Sequence, residues 1–242
     1  MYTAPNNRLW ATCLLVFFAL AGSLTARAQQ AAQQLTQAQQ QYPGEKAVYL
    51  DYRQDLTVEI VGDSVQVLAR HHYDMLHLEP QSAMYADDRV FSSHFNRLQK
   101  VEARTLVPNG RDYKTVKVTD FKSKFETQPG IFYDDTRVTT FSFPQVAPGV
   151  RTVSDYTVRH PDSRFLQPFF FSSYVPVRHA ELTITAPKGV KIDAKPFHTE
   201  QAGVQFSKQE KGNTVVYRWV AENLPTPPAT TTPPKVATTA RT

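Results

Sequence analysis

Apolar side chains fall at every second position through most of this chain. Leu56, Val58 and Ile60 alternate with Thr57 and Glu59; after Gly62-Asp63, Val65, Val67 and Ala69 alternate with Ser64, Gln66 and Arg70. A period of two places one face of a strand inward, and Gly-Asp between two such runs predicts a hairpin. Val101, Ala103, Thr105 and Val107 form a further run that ends at Asn109-Gly110, with Val116 and Val118 on the return strand. Ala180, Leu182 and Ile184 repeat the pattern, and Gly212-Asn213 leads into Val215, Tyr217 and Trp219. One stretch, Gln81 to Leu98, has room for a helical turn. Many short strands with turn chemistry between them predict an all-β fold, a two-layer antiparallel β-sandwich.

The stretch "YDDTRVTTFSFPQVAPGVRTVSDYTVRH", residues 133–160, fits the same frame. Arg137, Thr139, Phe141 and Phe143 share one parity, and Thr152, Ser154, Tyr156 and Val158 another. "PQVAPG" between them has loop chemistry. The expectation is a hairpin, with Asp134 and Asp135 at its polar edge. Adjacent strand residues point to opposite faces, so the two carboxylates cannot grip one substrate atom; an Asp there caps a turn through the backbone two residues on. Asp87-Asp88 invites the same assignment.

The ends differ from the middle. Residues 1–28 carry Arg8, an apolar run of 13 residues, and Ala26-Arg27-Ala28. That is the layout of a cleaved secretory signal, and the run is too short for the roughly 20 residues that span a bilayer. The expected product is exported, periplasmic or extracellular, touching a membrane only through the signal. Residues 29–45 begin with Gln/Ala-rich sequence whose one large apolar residue is Leu35, which predicts a flexible spacer. Residues 46–224 form the expected β domain. From Pro225 to Thr242 the chain is rich in Pro and Thr, and a disordered tail or linker is expected.

Charge and cysteine narrow the function classes. The chain has 27 basic and 22 acidic side chains; without residues 1–28, which hold two of the bases and no acid, the net charge is +3. Lys114, Lys117, Lys122 and Lys124 are interrupted by acids and threonines, so no nucleic-acid patch is expected. Cys13 is the one cysteine, so the processed chain has no thiol for a disulfide, a zinc-thiolate site or nucleophilic catalysis. The seven histidines show no compact ligand spacing: His71 and His77 lie about 20 Å apart on an extended strand at ~3.3 Å per residue. No metal or cofactor site is expected. There is no G-x-S-x-G elbow, and no catalytic residue is assigned. "FLQPFFFSSYVP", residues 165–176, is the unusual segment. Three consecutive phenylalanines make both faces of a strand apolar, so one face needs a cover or a partner. Phe169, Phe170, Phe171 and Tyr174 are therefore the candidate partner surface, for a protein, peptide or glycan.

Taken in order, "VEARTLVPNGRDY", "YDDTRVTTFSFPQVAPGV", "DYTVR", "FLQPFFFSSYVPV", "LTITAPKGV" and "VVYRWVAENLP" resemble a bacterial exported domain of unknown function that precedes a transglutaminase-like domain. The resemblance spans residues 46–224 and rests on turn and core patterns. It implies a β-sandwich in the cell envelope, with catalysis belonging to a downstream Cys-His-Asp domain. This chain departs from that pattern after "AENLP", where Pro/Thr-rich sequence follows. The expected function is a non-catalytic accessory or binding module. The alternative is a truncated fragment of a transglutaminase-like cysteine peptidase.

Overall fold

The computed structural model describes residues 30–110, 112–126, 135–228 and 232–241. The expected signal at 1–28 and Asp134 lie outside them. Among the described residues the fold is all-β apart from one helix and two short 3-10 turns. In order come α1 (Gln30–Gln41), β1 (Ala47–Val61), β2 (Ser64–His77), β3 (Asp87–Ser92), β4 (Arg97–Asn109), β5 (Asp112–Lys117), β6 (Lys122–Phe125) and β7 (Arg137–Ser142). Then follow β8 (Arg151–His160), β9 (Phe169–Phe170), β10 (Val177–Pro187), β11 (Lys191–Phe197), β12 (Gln205–Lys211), β13 (Thr214–Leu224) and β14 (Lys235–Arg241).

Eight strands form one large sheet in the order β12-β13-β10-β1-β2-β8-β4-β5. Its pairings are antiparallel except at β1–β10, which run parallel. The second layer is split into two three-stranded sheets, β11-β14-β9 and β3-β7-β6. The first covers a core of Leu56, Val58, Val67, Leu182, Ile184, Trp219, Phe171 and Val236. Fully burying each of the larger apolar side chains contributes roughly 1.5–3 kcal/mol. The second closes over Val90, Ala103, Val118, Phe141 and Phe143.

The local turns follow the sequence. Val61 pairs with Ser64 across Gly62-Asp63, and Lys211 pairs with Thr214 across Gly212-Asn213. Gly62 and Gly212 have φ near +60°, where a side chain would be strained. A bulge between Tyr49 and Asp51 interrupts the alternation of β1. Ala47 and Tyr49 face the core before it; Tyr52, Leu56 and Val58 face the core after it.

Three expectations change. The stretch 133–160 is not a hairpin: β7 pairs with β3 and β6, whereas β8 pairs with β2 and β4. The Pro/Gly loop crosses between layers instead, and it is anchored by Gly149 N–H donating to the His77 carbonyl at 2.8 Å and His77 N–H donating to Val150 at 3.0 Å. The expected spacer is helix α1. Ala and Gln are good helix formers, and Ala38, with Leu35 and Tyr42, packs on Val48, Leu50, Leu76 and Leu78 on the far face of the large sheet. Small alanines suffice because both faces of β1 are apolar at its start. The expected disordered tail supplies β14, the middle strand of its sheet. Val236 and Ala240 are buried beneath it, and seven backbone pairings to β11 offset the ordering that its weak apolar content alone would not.

Candidate functional site

The far face of the large sheet spends its charges on itself. Arg218 grips Glu181 at 2.6 and 2.8 Å, and His179 bridges Glu181 and Glu222. Further along, His72 and Arg104 both reach Asp155 at 2.6 Å. Burial acts to raise the Asp155 carboxyl, but hydrogen bonds from His72 and Arg104 win and hold it below its ordinary value. The Arg218 pair pulls Glu181 down to about 2 against its partial burial. These groups are mutually satisfied and offer little unspent chemistry.

The inner face differs. Between the layers, β1, β2 and β8 bring a set of tyrosines together. Tyr52 stacks on Tyr73 with centroids 4.6 Å apart, and Tyr49 meets Tyr52 edge-on at 5.1 Å. The Tyr73 and Tyr156 hydroxyls are 3.3 Å apart. His71 stacks on Tyr156 at 4.3 Å and bonds the Tyr73 hydroxyl through Nδ1 at 3.1 Å. Burial, helped by the nearby His160, lowers the His71 pKa to about 3, so the ring is neutral. Burial likewise raises the Tyr73 phenol well above its ordinary range. The hydroxyls are thus neutral donors and acceptors, and no phenolate forms near neutral pH.

This cluster reaches the surface beside Asp88. Tyr49, Tyr73, Met75, Tyr85, Phe143, Thr152, Ser154 and Tyr174 line a cavity of about 30 Å³ with Asp87 and Asp88. The Tyr49 and Tyr174 hydroxyls are 3.0 Å apart, and the Tyr174 ring lies 5.2 Å from that of Tyr85 at the mouth. Burial raises the Asp88 carboxyl, opposed by the Arg89 backbone amide and the Ser154 hydroxyl. Its outer side borders a larger groove of about 590 Å³, shared with Arg89, Lys117, Asp120, Lys122 and Ser142.

The residues expected at a partner surface divide. Phe169 and Phe171 are core rings, 5% and 0% exposed, packed edge-to-face at 4.9 Å, so they cannot meet a partner. The physical reason is that β9 has only two residues; the chain then turns in, with Phe171 N–H donating to Pro234 at 2.9 Å. Phe170 is 37% exposed, with the Lys235 ammonium over its ring. Tyr174 is 58% exposed and belongs to the cavity mouth.

The acid pairs also divide. Asp87 and Asp88 are strand residues of β3 rather than turn caps: Asp87 accepts from the Ser142 hydroxyl at 2.5 Å, while Asp88 borders the cavity and bonds its neighbour's amide at 2.7 Å. Asp135 accepts from the His94 amide at 2.6 Å, a long-range tie rather than a local cap. Among the described residues no three His, Cys, Asp or Glu side chains converge as metal ligands. His77 is fully buried and bonds the Thr152 hydroxyl at 3.0 Å.

Residues 79–228 match the model of a domain of unknown function with a solved structure, DUF3857. The crystal structure of a "putative protease" from Parabacteroides distasonis superposes with a TM-score of 0.67 at 17% identity, over 80% of this chain and 40% of that one. The likeness is one of fold, and the chain spans well under half the length of that protein. An M1 zinc metallopeptidase from Deinococcus radiodurans aligns over 80% of the chain at 10% identity with a TM-score of 0.37, too low to carry an argument. No curated protein matches in sequence.

Proposed function

This chain belongs to the DUF3857 family, and we propose that it is an exported, non-catalytic binding module, an accessory domain of the kind that serves a transglutaminase-like protein. The observation that carries this reading is the make-up of the Asp88 cavity. Tyrosine hydroxyls, Ser154 and a carboxyl converge there beside an exposed tyrosine, without a histidine or cysteine on the walls. Nucleophilic catalysis needs a nucleophile, a base and a group that orients the base; His71, the nearby imidazole, is neutral and engaged with Tyr73. Such a cavity recognises a polar group rather than transforming it.

A second reading rests on the fold match. A chain resembling 40% of a longer "putative protease" is also what the positioning domain of a cysteine peptidase would look like, with catalysis in another part of the protein.

The test is direct. The purified chain is incubated with casein, acyl esters and a glutamine–lysine peptide pair, and the exported form is sequenced from its N-terminus. No turnover above blank and a start at Gln29 are expected. Turnover abolished by a single substitution overturns the non-catalytic reading, and retention of residues 1–28 on cell fractionation overturns the export reading.

A further inference from the structure

We propose that the Asp88 cavity is a recognition site for a primary ammonium group, such as a lysine side chain or a small alkylamine. This deepens the binding reading above and rests on it.

Three observations carry the inference. The first is charge. The walls hold the Asp88 carboxyl and no basic side chain; the Asp87 carboxylate lies on the opposite face of β3, bonded to Ser142. Arg89, the base that acts on Asp88, is its neighbour on β3, and neighbours on a strand point to opposite faces. The half-buried Asp88 carboxyl bonds Ser154 on the cavity wall, where no lining residue is basic, while Lys117 and Lys122 lie along the outer groove; a carboxyl so placed favours a positively charged guest.

The second is aromatic content. Tyr49, Tyr73, Tyr85, Tyr174 and Phe143 all line the cavity. Aromatic faces attract cations through their quadrupole, more strongly where water is excluded. Four of the five rings also carry hydroxyls, which can accept the N–H bonds that an ammonium donates. The Thr152 and Ser154 hydroxyls add two more acceptors.

The third is size. A cavity of about 30 Å³ admits a head about as large as water. A primary ammonium fits, and a quaternary ammonium or a guanidinium does not. The mouth is formed by the exposed Tyr174 and by Tyr85, and the Glu45 charge lies close enough to raise the Tyr85 phenol further.

The experiment titrates the full chain with N-acetyl-lysine methylamide by calorimetry, following tyrosine ring resonances by NMR. N-acetyl-norleucine methylamide, methylammonium, tetramethylammonium and potassium chloride serve as parallel arms. Saturable millimolar binding of the lysine derivative, absent for the norleucine derivative and tetramethylammonium, is expected. Asp88→Asn weakens it at least tenfold. Tyr174→Leu, at an exposed position outside the packed core, weakens it severalfold while a cooperative thermal transition persists, and so keeps the test valid if Asp88→Asn does not fold. Lysine derivative tighter than methylammonium points to a peptide source; equal affinities point to a free amine. Equal binding of norleucine, no saturation by the lysine derivative, or displacement by potassium as effective as by methylammonium overturns the inference. Loss of amine binding with no enzymatic turnover leaves the non-catalytic reading standing and removes only this one.

Discussion

Acidification should unfold this domain through its buried imidazoles, and His77 gives the sharpest case. The ring is fully buried at the end of β2, bonded to Thr152, and burial lowers its pKa to about 4, with the Ser82 backbone pulling the other way. In the unfolded chain the pKa returns to about 6.5. Between these values the unfolded chain binds a proton that the folded one does not, so stability falls as pH falls. From pH 7 to 4.5 the loss from His77 alone comes to about 2.5 kcal/mol by that linkage. His71, held near 3, acts in the same direction through the same window. Asp88 and Asp55 act in the opposite direction, since burial raises both carboxyls and the folded state then takes up protons first. The assay is urea unfolding at pH 7 and 4.5, followed by Trp219, which is buried in the main core, together with far-UV circular dichroism. His77→Gln retains a hydrogen-bonding partner for Thr152 and removes the titration. It should lower stability at pH 7 and flatten the pH dependence by about 2.5 kcal/mol. If the variant and the parent lose the same stability between pH 7 and 4.5, the linkage argument is wrong.

Other perturbations test the architecture. Val236→Asp places a charge under the middle strand of the β11-β14-β9 sheet and should cost several kcal/mol, or prevent folding, visible as a lost thermal transition. Asp74→Ala leaves the half-buried Arg151 guanidinium without its carboxylate partner; a loss of roughly 2–3 kcal/mol in urea unfolding is expected, below the roughly 3–5 kcal/mol of a fully buried pair because Arg151 keeps some contact with water. Leu35→Asp should detach α1 from Leu76 and Leu78, exposing residues 30–41 to limited proteolysis while the β core stays protected.

Much of the fold was legible because it is local. Gly62-Asp63 and Gly212-Asn213 turn their strands where turn chemistry places them, and the alternation of Leu182 and Ile184 names the inward face of β10. The loop from Phe143 to Val150 is different. Nothing in "PQVAPG" states whether the next strand pairs with the last or crosses to the other layer; the partners of β7 and β8, and the His77 backbone that anchors the loop, lie far away in the chain. Helix α1 escaped because its anchor is mostly alanine, and β14 because its pairing rather than its apolar content holds it. The tyrosine cavity was hidden by one irregularity. Strict alternation puts Tyr49 and Tyr52 on opposite faces, and the bulge between Tyr49 and Asp51 brings both rings inward. Tyr85, Asp88 and Tyr174 then arrive from three further segments that no spacing rule connects. Of the aromatic segment, the surplus of rings was readable, but which of Phe169, Phe170, Phe171 and Tyr174 stayed outside was not.

The parallel contact between β1 and β10 sets the order in which the molecule can assemble. The hairpin of β1 and β2 can close early, since its partners are adjacent in the chain. Every strand from β2 to β9 must be laid down before β10 arrives to cover the other edge of β1. Until that seam zips, β1 presents an open row of backbone donors and acceptors flanked by Leu56 and Val58, the kind of edge that recruits a stray strand. High contact order makes such closure slow, so the interval before the seam forms is when this polypeptide is most exposed to aggregation and most in need of a holding factor.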